Sequence, residues 1–521
     1  MMSGKIDSTS ETTQIMEKSE IKLSEKQKPH VGRILKMLGV RHFCFDNTDM
    51  GGGKTVMHLY IAKQLGFEKV LVISGISAMV VWAEEAEKYG VEITDMISYQ
   101  STASKRGYQP KHGYLKRIDQ TTEEGKKKHP EFLPTKKLID LVESGVYLIF
   151  DEYQTIRNLN SYFYACQAFA RCILKAKNGV SRFALLSGAP IVEQEQTVNM
   201  MKFAGIITQY YLYIYHKESF TLELRGAEEL LEYCKRIDPK RLEQSLKKDP
   251  IPEVGKKKEV VEFCHRLYVN VLLYNIRSAA PTPDIDAELD VKNGYYKLPE
   301  ENQKNLKEAL ERLASDLEFD ETTGTYHKAN GLSLWTQQSV AIEENKLSIY
   351  KRLALNHLTS TKGKVIIMFN HIISVEQLTD DLKEYNPLVM IGEIKESKTQ
   401  KKRTAIIKKF RNDPDHRCLI ATSQVLAYTF NLQDLEGDSP RLTLYSPNFF
   451  TDRLHQAIKR TYRWGTKSPC VFRSVYGAEC DLEARIIDSH FRKTPTMKDH
   501  LPEQEEQGVI FPGDYEEEFE K

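Results

Sequence analysis

Markers of a metal site, a disulfide framework or a membrane span are missing from this sequence. Its eight cysteines are scattered, without a CxxC pair or histidines at zinc-ligand spacing, so we expect no structural metal. We also expect a reducing, intracellular compartment. No apolar run approaches the roughly 18 residues of a membrane span, and the polar N-terminus lacks the apolar core of a signal peptide. We therefore expect no membrane partner.

An excess of one charge is missing as well. Lysine and arginine number 74 and aspartate and glutamate number 73, so the net charge predicts no particular partner. Any surface for a nucleic acid must therefore be a local patch. The 521 residues are otherwise of ordinary globular composition, with 28% charged and 40% apolar residues. This length allows about two to four domains.

Apolar segments alternate with amphipathic segments in two separate regions of the chain. Continuous apolar runs between helices are typical of parallel strands that are buried on both faces. The sequence therefore predicts an α/β fold with two tandem, doubly wound parallel-sheet lobes. The main strands are predicted at RHFCF, KVLVISG, 146–150 and 182–188 in the first region, and at 364–370, 388–392, 418–423 and 442–446 in the second.

A proline-containing segment, RSAAPTPDID, interrupts this pattern and marks the boundary between the lobes. From residue 206 up to it, apolar residues recur at helical spacing, so we expect a helical insertion between the two sheets. The polar stretch 105–130 is expected to form a surface loop. The predicted segments are a disordered N-terminus over 1–20, lobe 1 over 21–282, a linker over 283–295, lobe 2 over 296–490 and a solvated acidic tail over 491–521.

A glycine-rich loop lies between the first predicted strand and the next helix. Its glycines permit a tight turn whose backbone N–H groups point at phosphates, while Lys54 would neutralise the phosphate oxygens and Thr55 would bind magnesium. Thr48 stands where the GxxxxGK[ST] pattern has its first glycine, so a plain glycine-rich turn is the alternative. The candidate nucleotide-binding residues are Gly51, Gly52, Gly53, Lys54 and Thr55.

An acidic pair follows the apolar strand VYLIF. Asp151 at the end of this strand would hold the magnesium through water, and Glu152 could accept a proton from the attacking water. The alternative is an exposed acidic pair that caps the next helix. The position of the pair, about 100 residues after the glycine loop and at the end of an apolar strand, favours the catalytic interpretation.

These segments together resemble a known family. The order and spacing of TDMGGGKT, DEYQ and LLSGAP are similar to motifs I, II and III of the superfamily-two helicases and translocases of the DExH/Q type. The Swi/Snf-type ATPases, whose motif I is typically DEMGLGKT, are the most similar subgroup. The resemblance implies two RecA-like lobes, ATP and Mg²⁺ as cofactors and a nucleic acid as partner. It also adds Gln154 of DEYQ to the candidate catalytic residues.

Other positions match this family in part. Thr48 and Asp49 match its leading acidic pair only partly, and Ala189 replaces the usual threonine of motif III. Trp82 lies in a segment that resembles the one after motif Ia. Gln27 in SEKQKPH stands where the family has an adenine-reading glutamine, and a plain surface glutamine is the alternative.

The segment HQAIKRTYRWG, residues 455–465, fits the QxxxRxxR pattern of motif VI. In two-lobe motors an arginine of the second lobe stabilises the charge that develops on the transferred phosphoryl group. On a helix, Arg460 and Arg463 would share one face, with Gln456 one turn before them. We therefore predict that one helix presents all three groups to the cleft. A solvated basic helix face is the alternative.

Nucleic-acid contacts are expected on loops at the strand ends, and mainly to phosphates. Motif V lacks its usual glycines, with Ala427 and Thr429 in their place. The lysine runs 126–128 and 256–258 could add electrostatic attraction or could be solvated faces. By motif position, the candidate contacts are Ser74, Ser77, Ser98, Asn370, Thr422, Gln424 and Asn431.

The leading hypothesis is an ATPase that translocates along DNA. An RNA helicase or transcription-release factor would use the same core, because the shared motifs contact the backbone. A binding scaffold that has lost hydrolysis is a third interpretation, motivated by Thr48, Ala189 and the altered motif V. The compact chain and its DExQ variant resemble helicases of large cytoplasmic DNA viruses. That origin would place the protein in the host cytoplasm or virion, with transcription or replication proteins as partners.

Overall fold

The computed structural model describes residues 20–520, apart from 122–128, 217, 219–220, 254–255, 283, 316, 321–324, 329–333, 393–399, 427–429 and 479. Of residues 312–335, 400 and 401, at most the backbone is described. The predicted disordered segment lies almost entirely outside these residues. Within them, no helix combines the length and the apolar character needed to cross a bilayer.

The helices are α1 Gln27–Val40, α2 Lys54–Gln64, α3 Ile76–Tyr89, α4 Tyr99–Ala103, α5 Lys136–Glu143, α6 Ser161–Leu174, α7 Gln194–Phe203, α8 Gly226–Ile237, α9 Pro239–Lys248, α10 Lys257–Leu267, α11 Leu273–Ile276, α12 Glu300–Ser315, α13 Leu334–Asn345, α14 Leu347–Ser360, α15 Ile372–Asp381, α16 Gln400–Asn412, α17 Ser423–Leu426, α18 Thr451–Thr461, α19 Asp481–His500 and α20 Pro502–Glu506. Short 3₁₀ turns span Tyr153–Ile156 and Lys383–Tyr385, and a π turn, Tyr268–Leu272, joins α10 to α11.

The strands are β1 Phe43–Asp46, β2 Val70–Ser74, β3 Ile93–Ser98, β4 Leu115–Ile118, β5 Glu131–Pro134, β6 Tyr147–Asp151, β7 Arg182–Leu186, β8 Tyr213–His216, β9 Thr221–Leu224, β10 Arg277–Ser278, β11 Leu289–Tyr296, β12 Leu317–Asp320, β13 Thr325–Lys328, β14 Lys364–Phe369, β15 Leu388–Met390, β16 Cys418–Thr422, β17 Arg441–Tyr445, β18 Cys470–Gly477 and β19 Glu516–Phe519.

Lobe 1 contains a six-stranded sheet in the order β10-β1-β7-β6-β2-β3, and every adjacent pair is parallel. Alternate side chains of each strand enter two different cores. Phe45 and Leu71 pack with α5, α6, α7 and α10 on one face, whereas Cys44 and Val72 pack with α1, α2 and α3 on the other. The predicted doubly wound sheet is therefore confirmed for lobe 1.

Lobe 2 contains a seven-stranded parallel sheet in the order β15-β16-β14-β17-β18-β11-β19. Its two faces also enter separate cores, with Val365 and Ile367 on one side and Ile366 and Met368 on the other. The second predicted parallel-sheet lobe is thus confirmed as well. In both lobes the carboxyl ends of the strands lie at one edge, where parallel sheets hold their ligand loops.

The helices α8 to α11 form the predicted helical insertion between the two sheets. Their apolar faces join the core of lobe 1, where Phe263 and Leu267 lie in the same cluster as Phe183 and Phe203. After α11 the chain returns to this sheet as β10, which pairs with β1. The insertion is therefore part of lobe 1, and the crossing to lobe 2 starts only after Ser278.

The segments expected to be a linker and a solvated tail contribute strands to lobe 2. Leu289–Tyr296 is β11 and lies between β18 and β19 in the sheet. The acidic strand β19 is accommodated because Arg473 pairs with Glu518 at 2.7 Å and Phe519 stacks on Tyr295 with ring centroids 5.0 Å apart. These partners are distant in sequence, so local composition does not indicate them. The polar stretch 105–130, expected to be a surface loop, contains β4, which pairs antiparallel with β5 directly after the stretch.

We predict that a buried ion pair largely determines the stability of lobe 2. The side chains of Lys346 and Glu483, in contact with each other, are 1% and 4% exposed. Lys346 Nζ also donates to the Val475 carbonyl at 2.7 Å, and Glu483 accepts from the Gly477 N–H at 2.6 Å. Lys346→Met would leave the carboxylate buried without its partner. We expect the free energy of unfolding to fall by about 3–5 kcal/mol in urea denaturation.

The exposed pair Lys136–Asp140 provides the control, because its side chains are 86% and 60% exposed. Lys136→Met should change the free energy of unfolding by less than about 1 kcal/mol. The double variant Lys346→Met/Glu483→Leu should recover most of the loss, since it removes both charges. A similarly small effect of Lys346→Met would show that the buried pair does not stabilise the lobe.

Candidate active site

The glycine loop between β1 and α2 has a backbone that only glycine adopts without strain. Gly51 and Gly53 have φ angles of 81° and 87°, which are in the left-handed region. Gly52 is required for a different reason, because a Cβ there would lie 2.4 Å from Cγ2 of Thr48. Gly51 and Gly53 are thus required by their backbone conformation, and Gly52 is required by the close approach of Thr48.

The predicted adenine-reading glutamine lies against this loop. Gln27 Nε2 donates to the Gly52 carbonyl at 2.9 Å, and a Cβ on Gly53 would be only 2.6 Å from the same nitrogen. Gln27 Oε1 accepts from the Ser24 N–H at 3.0 Å, which fixes the orientation of the amide. The first turn of α1 is therefore attached to the nucleotide loop.

Lys54 and Thr55 open α2 at the end of the loop. Lys54 is 9% exposed, and its Nζ donates to the carbonyls of Thr48 at 2.7 Å and Asp49 at 3.2 Å. An ammonium has three N–H groups, so it can exchange these carbonyls for anionic oxygens. Lys54 and Thr55 both line a cavity of about 270 Å³.

Asp151 ends β6 on the opposite wall of this cavity. Trp82 Nε1 donates to its carboxylate at 2.9 Å. Burial and the neighbouring charge of Glu152 raise the pKa of Asp151 to about 6. A cation in the cavity would favour the ionised form. Glu152 itself has a φ of 58°, which is uncommon outside glycine and typical of functional turns.

A hydrogen-bonded chain connects the acidic pair to motif III. Gln154 Nε2 donates to Glu152 at 2.7 Å, and its Oε1 accepts from the Ser187 hydroxyl at 2.7 Å. Ser187 in turn accepts from the Ala189 N–H at 3.1 Å. The orientation of Glu152 is therefore linked to the loop after β7. Ala189 is fully buried against Met50 and the C-terminal residues Met497 and Phe511, so its methyl group lies in an apolar contact.

Lobe 2 presents both predicted arginines to the same cavity, but not from one helix. Arg460 is on α18, which ends at Thr461, and Arg463 lies in the following turn. The prediction of a common helix face is therefore wrong. The Thr466 hydroxyl causes the turn, because it accepts from the Arg463 N–H at 3.0 Å and donates to the Arg463 carbonyl at 2.6 Å. Gly465, with a φ of 87°, completes it.

The two arginines contact the nucleotide loop from across the cleft. The Arg463 guanidinium lies over Gly51, where its Nη2 would be 2.5 Å from an added Cβ. Arg460 Nη2 lies 4.0 Å from the sulfur of Met50. The cavity is lined by Met50, Gly51, Gly53, Lys54, Thr55, Val56, Ala78, Val81, Trp82, Glu85, Asp151, Glu152, Asn431, Arg460 and Arg463.

Gln456, the other predicted motif VI residue, does not line the cavity. It is fully buried on α18, and its amide has no hydrogen-bond partner among the described residues. Gln456 was expected at the cleft because all three polar groups of the motif were expected to lie on the helix face that contacts the cleft. In the structure it is instead buried outside the cavity lining.

Two buried ion pairs across the cleft were not predicted. Lys459 Nζ lies 2.7 Å from the Asp49 carboxylate, and Arg157 Nη2 lies 3.2 Å from that of Asp452. Burial opposes the ionisation of Asp49, but Lys459 and His455 hold its pKa below the usual value. The only sequence signals were a lysine inside motif VI and an acidic residue in motif I. Their pairing depends on how the lobes face each other.

The candidate nucleic-acid residues lie at the carboxyl edges of the sheets but differ in their contacts. Ser74 and Ser98 are paired positions at the ends of β2 and β3, and Ser77 is in the first turn of α3. Thr422 ends β16 and is buried, whereas Gln424 is exposed.

Asn370 and Asn431 make contacts within the protein. Asn370 Nδ2 donates to the Pro447 carbonyl at 3.1 Å, and its Oδ1 accepts from Asn448 at 2.8 Å. Asn431 bonds to Arg463 and lines the nucleotide cavity. Of the lysine runs, Lys257 pairs with Glu195 at 2.6 Å. Residues 126–128, Ala427 and Thr429 lie outside the described residues.

Comparisons with known proteins show that the chain is similar to helicases. Residues 345–465 match the family model of the helicase conserved C-terminal domain, a range that includes Arg460 and Arg463. A protein of Acanthamoeba polyphaga mimivirus named "Putative ATP-dependent RNA helicase" is 23% identical over 502 residues, which cover 92% of this chain and 84% of that protein. A likeness to viral helicases was expected from the sequence, and this relative is viral.

Two solved structures from Sulfolobus solfataricus also align along most of the chain. The SWI2/SNF2 ATPase core in complex with dsDNA has 16% identity and a TM-score of 0.30, with coverage of 96% of this chain and 99% of its own. The SWI2/SNF2 ATPase core domain has 16% identity, a TM-score of 0.31 and coverage of 96% and 97%. TM-scores this low do not establish a common fold.

The family model covers the lobe that carries the arginines, and the mimivirus relative extends along both lobes. Lobe 1 supplies the glycine loop and the acidic pair that face these arginines. The chain therefore resembles ATP-dependent helicases: it contains a helicase conserved C-terminal domain, and the arginines of that domain share one cavity with the glycine loop of lobe 1.

Proposed function

We propose that this protein is an ATP-driven motor that moves along nucleic acid, with DNA as the favoured track. The observation that carries the proposal is the single cavity in which Lys54 and Glu152 of lobe 1 face Arg460 and Arg463 of lobe 2. A site divided between two lobes opens and closes with each nucleotide cycle. This is how hydrolysis can be coupled to a change in lobe spacing.

The residues present fit Mg²⁺ and a nucleoside triphosphate. The left-handed glycines 51 and 53 leave room for phosphates, and Lys54 is free to exchange its two carbonyl partners for phosphate oxygens. Thr55 and Asp151 supply the oxygen ligands that Mg²⁺ prefers. When bound, the ion neutralises charge on the phosphates. Gln27, attached to the loop at Gly52, would read the base.

Glu152 is positioned to accept the proton of the attacking water. Its carboxylate is oriented by Gln154, which is itself held by Ser187. A general base is effective only when its orientation is fixed, so this chain supports a catalytic role for Gln154 through Glu152. Arg460 and Arg463 would stabilise the charge that develops on the transferred group. Arg463 must leave its position over Gly51 to admit the phosphates.

RNA is the alternative track, and the specific observation in its favour is the name of the mimivirus relative. The motif I and motif II pattern favours a Swi/Snf-type translocase on DNA. A scaffold without hydrolysis is not favoured, because the base, the lysine and both arginines share one cavity. We further propose an intracellular site of action, in host cytoplasm or virion, with transcription or replication proteins as partners.

The first test of this proposed function concerns lobe 1. Lys54→Ala and Glu152→Gln should each lower ATP turnover by at least about a thousandfold. Glu152→Gln should still bind ATP, since only the proton acceptor is lost. Lys63→Ala is the control, because Lys63 lies on the same helix and bonds to the Tyr89 carbonyl at the surface. Steady-state phosphate release measures all three. Turnover retained in both site variants would refute the assignment.

The second prediction concerns lobe 2. Arg460→Ala and Arg463→Ala should lower kcat by about 10³-fold, because the arginines act mainly on the transition state. We expect the Kd for ATP to change by less than about tenfold. Arg453→Ala is the control, since Arg453 is on the same helix and lies over the Phe450 ring at 4.0 Å. An unchanged kcat in both site variants would mean that lobe 2 does not take part in hydrolysis.

The third prediction concerns the track. Turnover should rise with added duplex DNA, and the stimulation should weaken with salt because phosphates carry most of the binding. The measurement compares ATP hydrolysis with no nucleic acid, duplex DNA, single-stranded DNA and RNA at one low salt concentration. A stronger response to RNA would instead assign the helicase or transcription-release role. Hydrolysis unaffected by any of them would contradict a motor.

A further inference from the structure

The side chain of Thr48 connects the nucleotide loop to the chain segment that leads into lobe 2. Its Oγ1 accepts a hydrogen bond from the Ala280 N–H at 2.8 Å, and both residues are buried. Ala280 follows β10 and lies on the inter-lobe stretch, residues 279–288, that runs from lobe 1 to β11 of lobe 2. One residue earlier, the Asn47 N–H donates to the Ser278 carbonyl at 2.9 Å. The hydrogen bond to the Thr48 hydroxyl adds a second contact, and this one lies on the inter-lobe stretch itself.

The main chain of Thr48 bonds to the group that binds phosphate. Its carbonyl accepts from Lys54 Nζ at 2.7 Å, and its N–H donates to Asp46 at 2.9 Å. A phosphate in the loop would draw the ammonium away from this carbonyl, since charge-assisted hydrogen bonds are the stronger ones. Thr48 is therefore in contact with the nucleotide site on one side and with the inter-lobe stretch on the other.

A buried polar cluster next to Thr48 limits how far Thr48 can move without also moving its neighbours. The Asp46 carboxylate lies 3.2 Å from His30 Nε2 and 3.0 Å from His58 Nε2, and all three side chains are fully buried. His30 Nε2 is 3.3 Å from the Thr48 hydroxyl, and its Nδ1 is 2.7 Å from that of Ser278. Buried networks of this kind are rigid. A shift of Thr48 is thus passed to Ala280.

The methyl group of Thr48 restricts it further. Its Cγ2 occupies the space that a Cβ at Gly52 would need, at 2.4 Å. Gly52 and Thr48 therefore fit each other closely. The side chain cannot rotate its methyl into the hydroxyl position without leaving this contact, so the hydroxyl stays directed at Ala280.

We propose that Thr48 is a positioning residue that couples phosphate in the nucleotide loop to the inter-lobe stretch, and through it to the placement of Arg460 and Arg463. This inference rests on the proposed ATPase function. Thr48 acts through Lys54 and Ala280 and touches no reacting atom. The sequence departs from the GxxxxGK[ST] pattern at Thr48, and the hydroxyl of this residue has a function that a glycine could not supply.

The test is Thr48→Val, which keeps the methyl and the carbonyl but removes the acceptor of the Ala280 N–H. We expect the Kd for ATP to change by less than about threefold, while the stimulation of turnover by nucleic acid falls about tenfold. Thr48→Ser keeps the hydroxyl and should restore the stimulation to within about twofold. Equal losses in affinity, basal turnover and stimulated turnover, without rescue by serine, would show a merely structural role and overturn the proposal.

Thr102→Val is the matched control. Thr102 is a fully buried threonine of lobe 1 whose hydroxyl donates to the Tyr99 carbonyl at 2.7 Å. Its hydrogen bonds within the described part of the chain are to Tyr99, His112 and Cys166 of lobe 1, so its loss should leave the stimulation within about twofold of the wild type. Wild-type stimulation in Thr48→Val would overturn the proposal.

A second measurement does not depend on turnover. Fluorophores at the exposed positions 136 of lobe 1 and 383 of lobe 2 report the distance between the lobes. In the wild type this distance should change when a non-hydrolysable ATP analogue and Mg²⁺ are added, and the change should be lost in Thr48→Val and kept in Thr48→Ser. An equal change in Thr48→Val would overturn the coupling. This assay remains decisive if nucleic acid fails to stimulate hydrolysis, a result that would refute the proposed motor but not the coupling.

Discussion

The buried contact between Asp49 and Lys459 is the constraint on which the site depends. The two charges come from different lobes and are both buried, and a buried charge without its partner is strongly unfavourable. Asp49 directly precedes Met50, and Lys459 directly precedes Arg460, which lies against Met50. The position of the ion pair is therefore tied to the position of Arg460 at the cleft. The buried pair of Arg157 and Asp452 is a second charged contact between the lobes.

The apolar contact between lobe 1 and the C-terminal region explains why motif III has alanine at position 189, where threonine is usual. Ala189, Met50 and Val192 of lobe 1 form a cluster with Met497, Leu501 and Phe511 of the C-terminal region. A threonine at 189 would place a hydroxyl in this cluster, where burial without a partner is unfavourable. Arg277 pairs with Glu503 at 2.8 Å and so holds the same region against lobe 1. The C-terminal region is therefore part of the contact between the lobes.

Sequence patterns predicted what depends on neighbours in the chain and missed what depends on distant partners. The apolar strands, the glycine loop, Asp151 and Glu152 were located correctly because each is a local pattern at a strand end. Arg463 was expected on a helix, because the turn after α18, in which the Thr466 hydroxyl bonds to Arg463, cannot be recognised from spacing alone. The strand β19 requires Arg473 and Tyr295, which are remote in sequence. The pairing of Asp49 with Lys459 requires the fold of both lobes.

In motif I, Thr48 and Gly52 compensate for each other. The departure from the usual pattern therefore does not indicate a degenerate site. In a site that has lost its function, substituted residues need not fit their surroundings. Thr48 and Gly52 do fit each other, because the Thr48 methyl group occupies the space that a Cβ at Gly52 would need. The Thr48 hydroxyl has a donor in Ala280, and its carbonyl carries Lys54. A glycine at 48 would leave the Ala280 N–H without this acceptor in a buried position, which is costly. Thr48 thus connects the loop to the stretch that leads into the second lobe, and Lys54, Glu152, Arg460 and Arg463 still share one cavity.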